Sequence, residues 1–288
     1  MSSLCFFASD LHGRKDRYRK LFDAIEAERP GAVFLGGDLL PPGFGFAGGE
    51  AGEDDDFVRG FLASRLSRLR DALGESYPAL FVILGNDDPR AEEEAVVDLD
   101  GLDLLHYVHE RHVEWHGFSV YGYACVPPTP FRLKDWERYD VSRYVDPGCI
   151  SPEEGWRTVP ADPRDVRYAT IQSDLDRLVG GNTLSRAILL FHCPPYNSPL
   201  DRAALDALSV DYAPLDVHVG SIAIRKFILA RAPRLTLHGH VHESARLTGE
   251  WRMELARTWS LSAAHDGPEL ALVRFDPERP DEATRALV

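Results

Sequence analysis

The sequence has few cysteines, a deficit of positive charge and no long apolar run, and each shortage narrows the class of protein. Four cysteines are scattered through 288 residues, with no spacing typical of a disulfide framework or a thiolate zinc site. No apolar stretch reaches the roughly 20 residues of a membrane helix, and no basic-then-apolar leader precedes the first strand-like run. We therefore expect a cytoplasmic protein with no membrane partner.

Positive charge is outweighed by negative charge along the whole chain. The sequence has 32 Lys and Arg residues against 46 Asp and Glu residues, giving a formal net charge of −14. This balance argues against general binding to nucleic acids or anionic membranes, which requires a basic face. A small phosphate ester is not excluded, because a bound dication outweighs a distant field locally.

What is present is the composition of an ordinary soluble protein, with 44% hydrophobic and 27% charged residues. No internal repeat or linker divides the chain, so residues 1–288 are predicted to form one domain.

A stretch at about 125–165, rich in proline and aromatic residues, is predicted to be an insertion that packs on a sheet edge, forms an oligomer contact or walls the substrate pocket. The acidic segment 41–56 is predicted to be a solvated loop, with a mobile lid as the alternative.

Strand-like and helix-like runs alternate in the first half of the chain. Apolar runs predict strands at 4–9, 32–37 and 80–84, and helical spacing predicts helices at 14–29 and 57–73. Such alternation is typical of parallel strands joined by right-handed crossovers. Shorter strands at 104–106, 112–115 and 118–123 are predicted to form the antiparallel edge of the sheet.

The second half continues with more strands and ends in a predicted surface tail. Helices are predicted at 166–179 and 222–230, and strands at 187–191, 235–238, 245–248, 252–259 and 270–275. The segment after Pro277 is predicted to lie on the surface. Both halves together indicate two sheets packed face to face with helices outside.

Five of the strand-like runs end in side chains suited to metal binding. The carboxyl ends of parallel strands converge on one crevice of an open α/β sheet. The donors are imidazole, carboxylate and amide groups without a thiolate, a set that suits Mn, Fe and Zn. They predict a site for two divalent metal ions, in which Asp38, alone between the outer pairs, is the natural bridging ligand. The candidate ligands are Asp10, His12, Asp38, Asn86, His192, His240 and His242.

The order of these residues resembles the calcineurin-like metallophosphoesterases over residues 4–242. That family carries D-x-H, G-D, G-N-H-(D/E), H and G-H-x-H, which stand here as Asp10-Leu11-His12, Gly37-Asp38, Gly85-Asn86-Asp87-Asp88, His192 and Gly239-His240-Val241-His242. The resemblance implies an α/β fold of the four-layer αββα sandwich type, with two mixed sheets. It implies that Asp10, His12 and His242 hold one metal, and that Asn86, His192 and His240 hold the other. Asp38 would bridge the two.

The sequence departs from the family pattern at Asp87, where many members have a histidine that protonates the leaving alkoxide. A carboxylate beside metal ions is a poor acid at neutral pH. Three alternatives are open: a leaving group that needs no acid, another donor such as His238 or Cys193, or slow turnover of unactivated esters. The candidate catalytic residues are Asp38, Asn86, Asp87 and His238, of which His238 is alternatively a support for the ligands.

Two functions follow from these observations. The first is hydrolysis of a phosphodiester, or less favourably a phosphomonoester, by attack of a hydroxide that bridges the two metals. The second is a catalytically weak metal-binding scaffold or interaction module of the same fold. The complete ligand set favours the enzyme. A small phosphate ester is the expected substrate, and the insertion leaves a homo-oligomer open.

Overall fold

The computed structural model describes residues 3–41 and 56–288 of the chain. The strands are β1 (Cys5–Ala8), β2 (Ala32–Gly36), β3 (Ala79–Ile83), β4 (His106–Tyr107), β5 (His112–Trp115), β6 (Phe118–Tyr123), β7 (Ala187–Phe191), β8 (Ser209–Val210), β9 (Ala213–Pro214), β10 (Leu235–His238), β11 (Arg252–Leu255), β12 (Thr258–Ser262), β13 (Ala271–Asp276) and β14 (Arg279–Leu287). The helices are α1 (Lys15–Glu28), α2 (Ala63–Leu73), α3 (Glu93–Gly101), α4 (Pro163–Tyr168), α5 (Ile171–Val179), α6 (Ile222–Arg231) and α7 (Ser244–Thr248). A π-helical turn at Phe57–Leu62 precedes α2, and short 3-10 turns lie at Gly74–Ser76, Arg90–Glu92 and Pro199–Asp201.

The strands of the main fold form two mixed sheets of six strands each. The first sheet has the order β14-β13-β1-β2-β3-β4, and the second has the order β11-β12-β10-β7-β6-β5. Four consecutive strands of each sheet are parallel: β1 to β4, which reach one edge of the first sheet, and β12, β10, β7 and β6 at the centre of the second. Antiparallel partners extend the sheets at β13, β14, β11 and β5. The fold class predicted from the sequence is confirmed.

The two sheets pack closely against each other. A Cβ atom on Gly122 of β6 would lie only 2.8 Å from Ile83 of β3, in the other sheet. The central strands β1, β2 and β7 are buried along their full lengths, which explains why they appear in the sequence as continuous apolar runs rather than alternating ones. The packing also brings the carboxyl ends of strands from both sheets to one edge, where His192 contacts Gly36.

Several element predictions for the first half need correction. The strand predicted at 104–106 is the two-residue β4, which is parallel to β3. Strands β5 and β6 are antiparallel to each other, as predicted. They belong to the second sheet, however, and β6 is parallel to its other neighbour, β7. The helix predicted at 57–73 is present as a π-helical turn continued by α2. Helix α3 was not predicted.

Further corrections concern the second half. The helix predicted at 166–179 is two helices, because the side chain of Thr170 accepts a hydrogen bond from Ser173 N and starts α5 anew. The strand predicted at 245–248 is the short helix α7, and the strand predicted at 252–259 is the hairpin of β11 and β12. The segment after Pro277 lies on the surface as predicted, but most of it forms the edge strand β14, which was not predicted. The prediction of a loop or lid at 41–56 concerns mainly residues 42–55, which lie outside the described residues.

Candidate metal centre

Four of the predicted ligand residues have a left-handed backbone. The φ angles of Asp10, His12, Asp38 and His240 are 58°, 47°, 52° and 74°. This region is unfavourable for residues with a side chain, and it persists only where neighbouring contacts enforce it. Asp10 N donates to Gly37 O at 2.9 Å, and His12 N donates to Asp38 O at 2.7 Å. The loops after β1 and β2 therefore run side by side and turn their polar side chains into one place.

The first group of converging side chains contains Asp10, His12 and His242. His242 Nε2 lies 3.2 Å from Asp10 Oδ1 and 3.2 Å from His12 Nε2. Two ligand atoms that share one ion at about 2.1 Å are separated by roughly 3.0–3.4 Å in octahedral or tetrahedral geometry. These distances fit a single metal ion. With Asp38, the three residues form a cluster whose ligand atoms all lie within 4.8 Å of one another.

The second group contains Asp38, Asn86 and His192. His192 Nε2 lies 3.1 Å from Asn86 Oδ1 and 3.3 Å from Asp38 Oδ2. His192 Nδ1 lies 2.7 Å from the carbonyl of Gly36. That contact leaves Nε2 as the ring nitrogen that faces the two oxygen acceptors, where a bound cation would take the place of a proton. Such a convergence of acceptors is what a cation would satisfy. The ring of His240 lies beside the group, with its centroid 5.1 Å from that of His192.

Asp38 belongs to both groups. It is 2% exposed. Its Oδ2 faces His192, and its Oδ1 accepts a hydrogen bond from Asp87 N at 2.8 Å.

The surroundings of the two histidines His192 and His242 are strongly anionic. Burial lowers the pKa of His192, but Asp38 and Asp10 outweigh burial and raise that pKa to about 10. In the same way the pKa of His242 is raised to about 9 against the effect of burial, mainly by Asp10. The site therefore favours positive charge, and its donor chemistry fits two divalent cations.

Three glycines leave the space that these ligands occupy. A Cβ atom on Gly37 would lie 2.6 Å from His192 Nδ1, and one on Gly239 would lie 2.9 Å from Asp10 Oδ2. A Cβ atom on Gly85 would lie 2.5 Å from Asp38 N. These separations are shorter than any side chain tolerates. The backbone therefore approaches the ligands closely at these three glycines.

Asp88 joins the loops after β2 and β3. Its buried carboxylate accepts hydrogen bonds from Gly85 N at 2.8 Å, Leu39 N at 3.1 Å and Leu40 N at 2.7 Å. These two loops carry Asp38 and Asn86. Through these contacts Asp88 supports the ligands from outside the metal centre.

Asp87 and the two alternative proton donors, His238 and Cys193, lie in different surroundings. Asp87 is at the edge of the cluster, with its side chain 41% exposed and Oδ2 3.8 Å from His12 Nδ1. His238 is fully buried, and its two ring nitrogens lie 2.9 Å from Cys193 O and 2.8 Å from Thr236 Oγ1. Its described contacts are with the second sheet and not with the ligands, and burial lowers its pKa to about 4. Burial likewise raises the pKa of the Cys193 thiol.

One supporting residue escapes the sequence patterns. Arg17 on α1 is 5% exposed, and its guanidinium donates to Asp10 O and to Gly267 O, each at 2.5 Å. The spacing of Tyr18, Leu21, Phe22 and Ile25 identifies the buried face of α1. Arg17 lies one turn before Leu21 on that face, which is the only signal of its burial in the sequence.

Two ligand groups that share one carboxylate at the carboxyl edge of a two-sheet fold are the arrangement that a two-metal centre requires. The comparisons agree. A family model for the calcineurin-like phosphoesterases matches residues 5–244, and the chain belongs to this family of metal-dependent enzymes. Comparison with curated protein sequences gives no match.

Among residues 3–41 and 56–288, no helix is long and apolar enough to cross a membrane.

Several solved structures share the fold. The protein TT1561 of Thermus thermophilus is 16% identical, with a TM-score of 0.54 over 100% of this chain and 99% of that chain. A phosphopantetheinyl hydrolase from Mycobacterium tuberculosis is 12% identical, with a TM-score of 0.51 over 98% of this chain and 95% of that chain. A dimetal phosphatase from Danio rerio is 11% identical, with a TM-score of 0.50 over 94% of this chain and 91% of that chain. At these identities the likeness is one of fold alone.

Proposed function

We propose that the protein is a dinuclear metal-dependent phosphoesterase that hydrolyses a small phosphodiester. The observation that supports this most strongly is the convergence of two ligand groups on Asp38. Asp10, His12 and His242 would hold one ion, and Asn86, His192 and His240 would hold the other. When bound, two Mn, Fe or Zn ions would supply Lewis acidity and the activation of water.

The chain itself orients the groups that hold these ions. The Gly36 carbonyl fixes the ring of His192, and the amide of Asp87 orients the Asp38 carboxylate. Asn86 Nδ2 donates to Asp87 Oδ1 at 3.1 Å, which turns the amide oxygen of Asn86 toward His192. Side chains that are locked in this way lose little freedom when an ion or a substrate binds.

A diester is favoured over a monoester because two arginines that lie close to the ligands in the sequence are already paired with carboxylates. A monoester dianion carries an extra charge, which is typically neutralised by a guanidinium. Arg14 lies 3.4 Å from Asp16. Arg90 forms an ion pair with Glu93 at 2.9 Å, so both arginines already have carboxylate partners. The chain's charge of −14 further favours a small ester over nucleic acid or a membrane surface.

The position of Asp87 predicts which esters react well. No imidazole stands at this position to protonate the leaving oxygen, and both nitrogens of His238 contact other groups. Turnover should therefore depend strongly on how good the leaving group is. We assign His238 a structural role in the second sheet.

Hydrolysis of bis-p-nitrophenyl phosphate and p-nitrophenyl phosphate in Mn²⁺ tests the proposal. Asp38→Asn should lower diester turnover by more than the roughly 10–100-fold typical of residues that only support a metal site. The matched control is Asp98→Asn, which removes an exposed carboxylate that pairs with Arg59, and it should leave turnover unchanged. Equal activity of Asp38→Asn and the wild type would refute the proposal. A folded wild type that binds two ions and hydrolyses neither ester would favour the scaffold function.

A further inference from the structure

The insertion at 125–165 has little regular structure but a well-defined interior. Lys134 is fully buried, and its Nζ donates to Thr129 O at 2.9 Å and to Glu137 Oε2 at 2.5 Å. The same carboxylate accepts from Thr129 N at 2.8 Å and from Thr129 Oγ1 at 2.5 Å. Losing either partner of a buried ion pair leaves an uncompensated buried charge, which is strongly destabilising. The insertion is thus a defined structural unit.

One side of the insertion is attached to the loop that follows β3. Trp136 is fully buried, and its Nε1 donates to the carbonyl of Asp88 at 2.8 Å. The guanidinium of Arg90 lies over the Trp136 ring, 4.7 Å from its centroid. Beside it, Arg90 N donates to Asp135 Oδ2 at 2.8 Å. Three contacts of different kinds therefore hold the insertion to the loop that carries Asn86.

The other side is attached to the start of α6. Asp140 accepts hydrogen bonds from Ser221 Oγ at 2.5 Å, Ile222 N at 2.7 Å and Ala223 N at 3.1 Å. Ser221 is the residue that caps α6. The insertion therefore spans from a loop of the first sheet to a helix that follows β7 of the second sheet.

We infer that the insertion positions the metal ligands of the second group, and that Trp136 is the positioning residue. Its indole holds the backbone of Asp88, whose carboxylate in turn holds Gly85 N and the amides that follow Asp38. The geometry of Asn86 and Asp38 is thus fixed from outside the two sheets. This role is additional to the three predicted from the sequence, because the contacts join the insertion to the loop that carries Asn86. The inference rests on the proposed function, because it assigns Trp136 a role in holding a metal.

Mn²⁺ titration of the metal-free, folded protein by calorimetry tests the inference. Trp136→Phe keeps an aromatic ring but removes the donor to Asp88 O. It should weaken binding of one of two ions by roughly 10–100-fold, the range typical of residues that support a metal site. It should also lower kcat with little change in KM. The matched control is Trp156→Phe in the same insertion, where the side chain is 46% exposed and the described hydrogen bonds are made by the backbone.

The outcomes separate the inference from the proposed function. Wild-type affinity for both ions in Trp136→Phe would overturn the inference and leave the function intact. Failure of the wild type to bind two ions would overturn the proposed function itself. If Trp136→Phe does not fold, Asp135→Asn replaces it, since it weakens the contact to Arg90 N. Asp135→Asn should weaken the same ion, and wild-type binding of both ions would overturn the inference.

Discussion

Replacing Gly85 with alanine is a direct perturbation of the proposed bridging ligand. Gly85 does not have a positive φ, so its backbone conformation accepts alanine and only space is limiting. The new Cβ would lie 2.5 Å from Asp38 N and 2.8 Å from His192 Cε1, and it would contact Asp38 Oδ1 more closely still. One methyl group therefore meets a ligand from each sheet.

The size of the effect follows from these distances. Ordinary contacts begin at 3.4 Å, so Asp38 must retreat by about 1 Å, half of the roughly 2.1 Å between a metal and its ligand. A displacement of this size typically costs about 100-fold in rate. Overpacking should lower the free energy of unfolding by about 1–3 kcal/mol.

The assay compares diester turnover, Mn²⁺ affinity and denaturant unfolding for Gly85→Ala and for Gly101→Ala. Gly101 ends α3, and a Cβ there meets nothing within 4 Å. This control should keep full activity and gain a few tenths to about 1 kcal/mol of stability. Wild-type turnover and metal affinity in Gly85→Ala would refute the assigned position of Asp38.

Two further predictions concern residues outside the ligand set. Arg17→Met should leave the carbonyls of Asp10 and Gly267 without their hydrogen-bond donors, which should lower the free energy of unfolding by about 1–3 kcal/mol per carbonyl. It should also weaken Mn²⁺ binding. Unchanged metal affinity in calorimetry would contradict a positioning role for Arg17. Burial, followed by the charges of nearby arginines, lowers the pKa of His109 from its ordinary value of 6.5 to about 3. Its neutral form therefore contributes stability above pH 6.5 that is lost as pH falls toward 3, by up to about 1.4 kcal/mol per pH unit. His109→Gln should flatten this slope in urea unfolding, and equal slopes would refute the assignment.

The ligand cluster could be predicted because its signal is local. Each of Asp10, Asp38, Asn86 and His192 follows an apolar run, and convergence at the carboxyl edge of a sheet is a general property of parallel strands. The left-handed backbone at four ligand positions could not be predicted, since only the paired loops enforce it.

The errors arose where long-range packing decides the structure. Strand β14 was not predicted, because it contains Pro280, Asp281 and Glu282, a composition typical of an irregular surface segment. An edge strand tolerates this composition, since only one of its sides is paired. The segment 245–248 is too short for its hydrophobic periodicity to distinguish a helix from a strand. It forms helix α7, which ends at Gly249 with a left-handed φ of 79°. The hydrogen bond from Trp136 to Asp88 joins residues 48 positions apart, and no local pattern indicates it.

Anomalous X-ray diffraction from Mn²⁺-loaded crystals tests the central claim, that Asp38 is shared by two ions, most directly. We predict two peaks roughly 3.5–4 Å apart, one among Asp10, His12 and His242 and the other beside Asn86 and His192, with Asp38 between them. A single peak, or peaks away from Asp38, would contradict the dinuclear centre and the hydrolysis proposed from it.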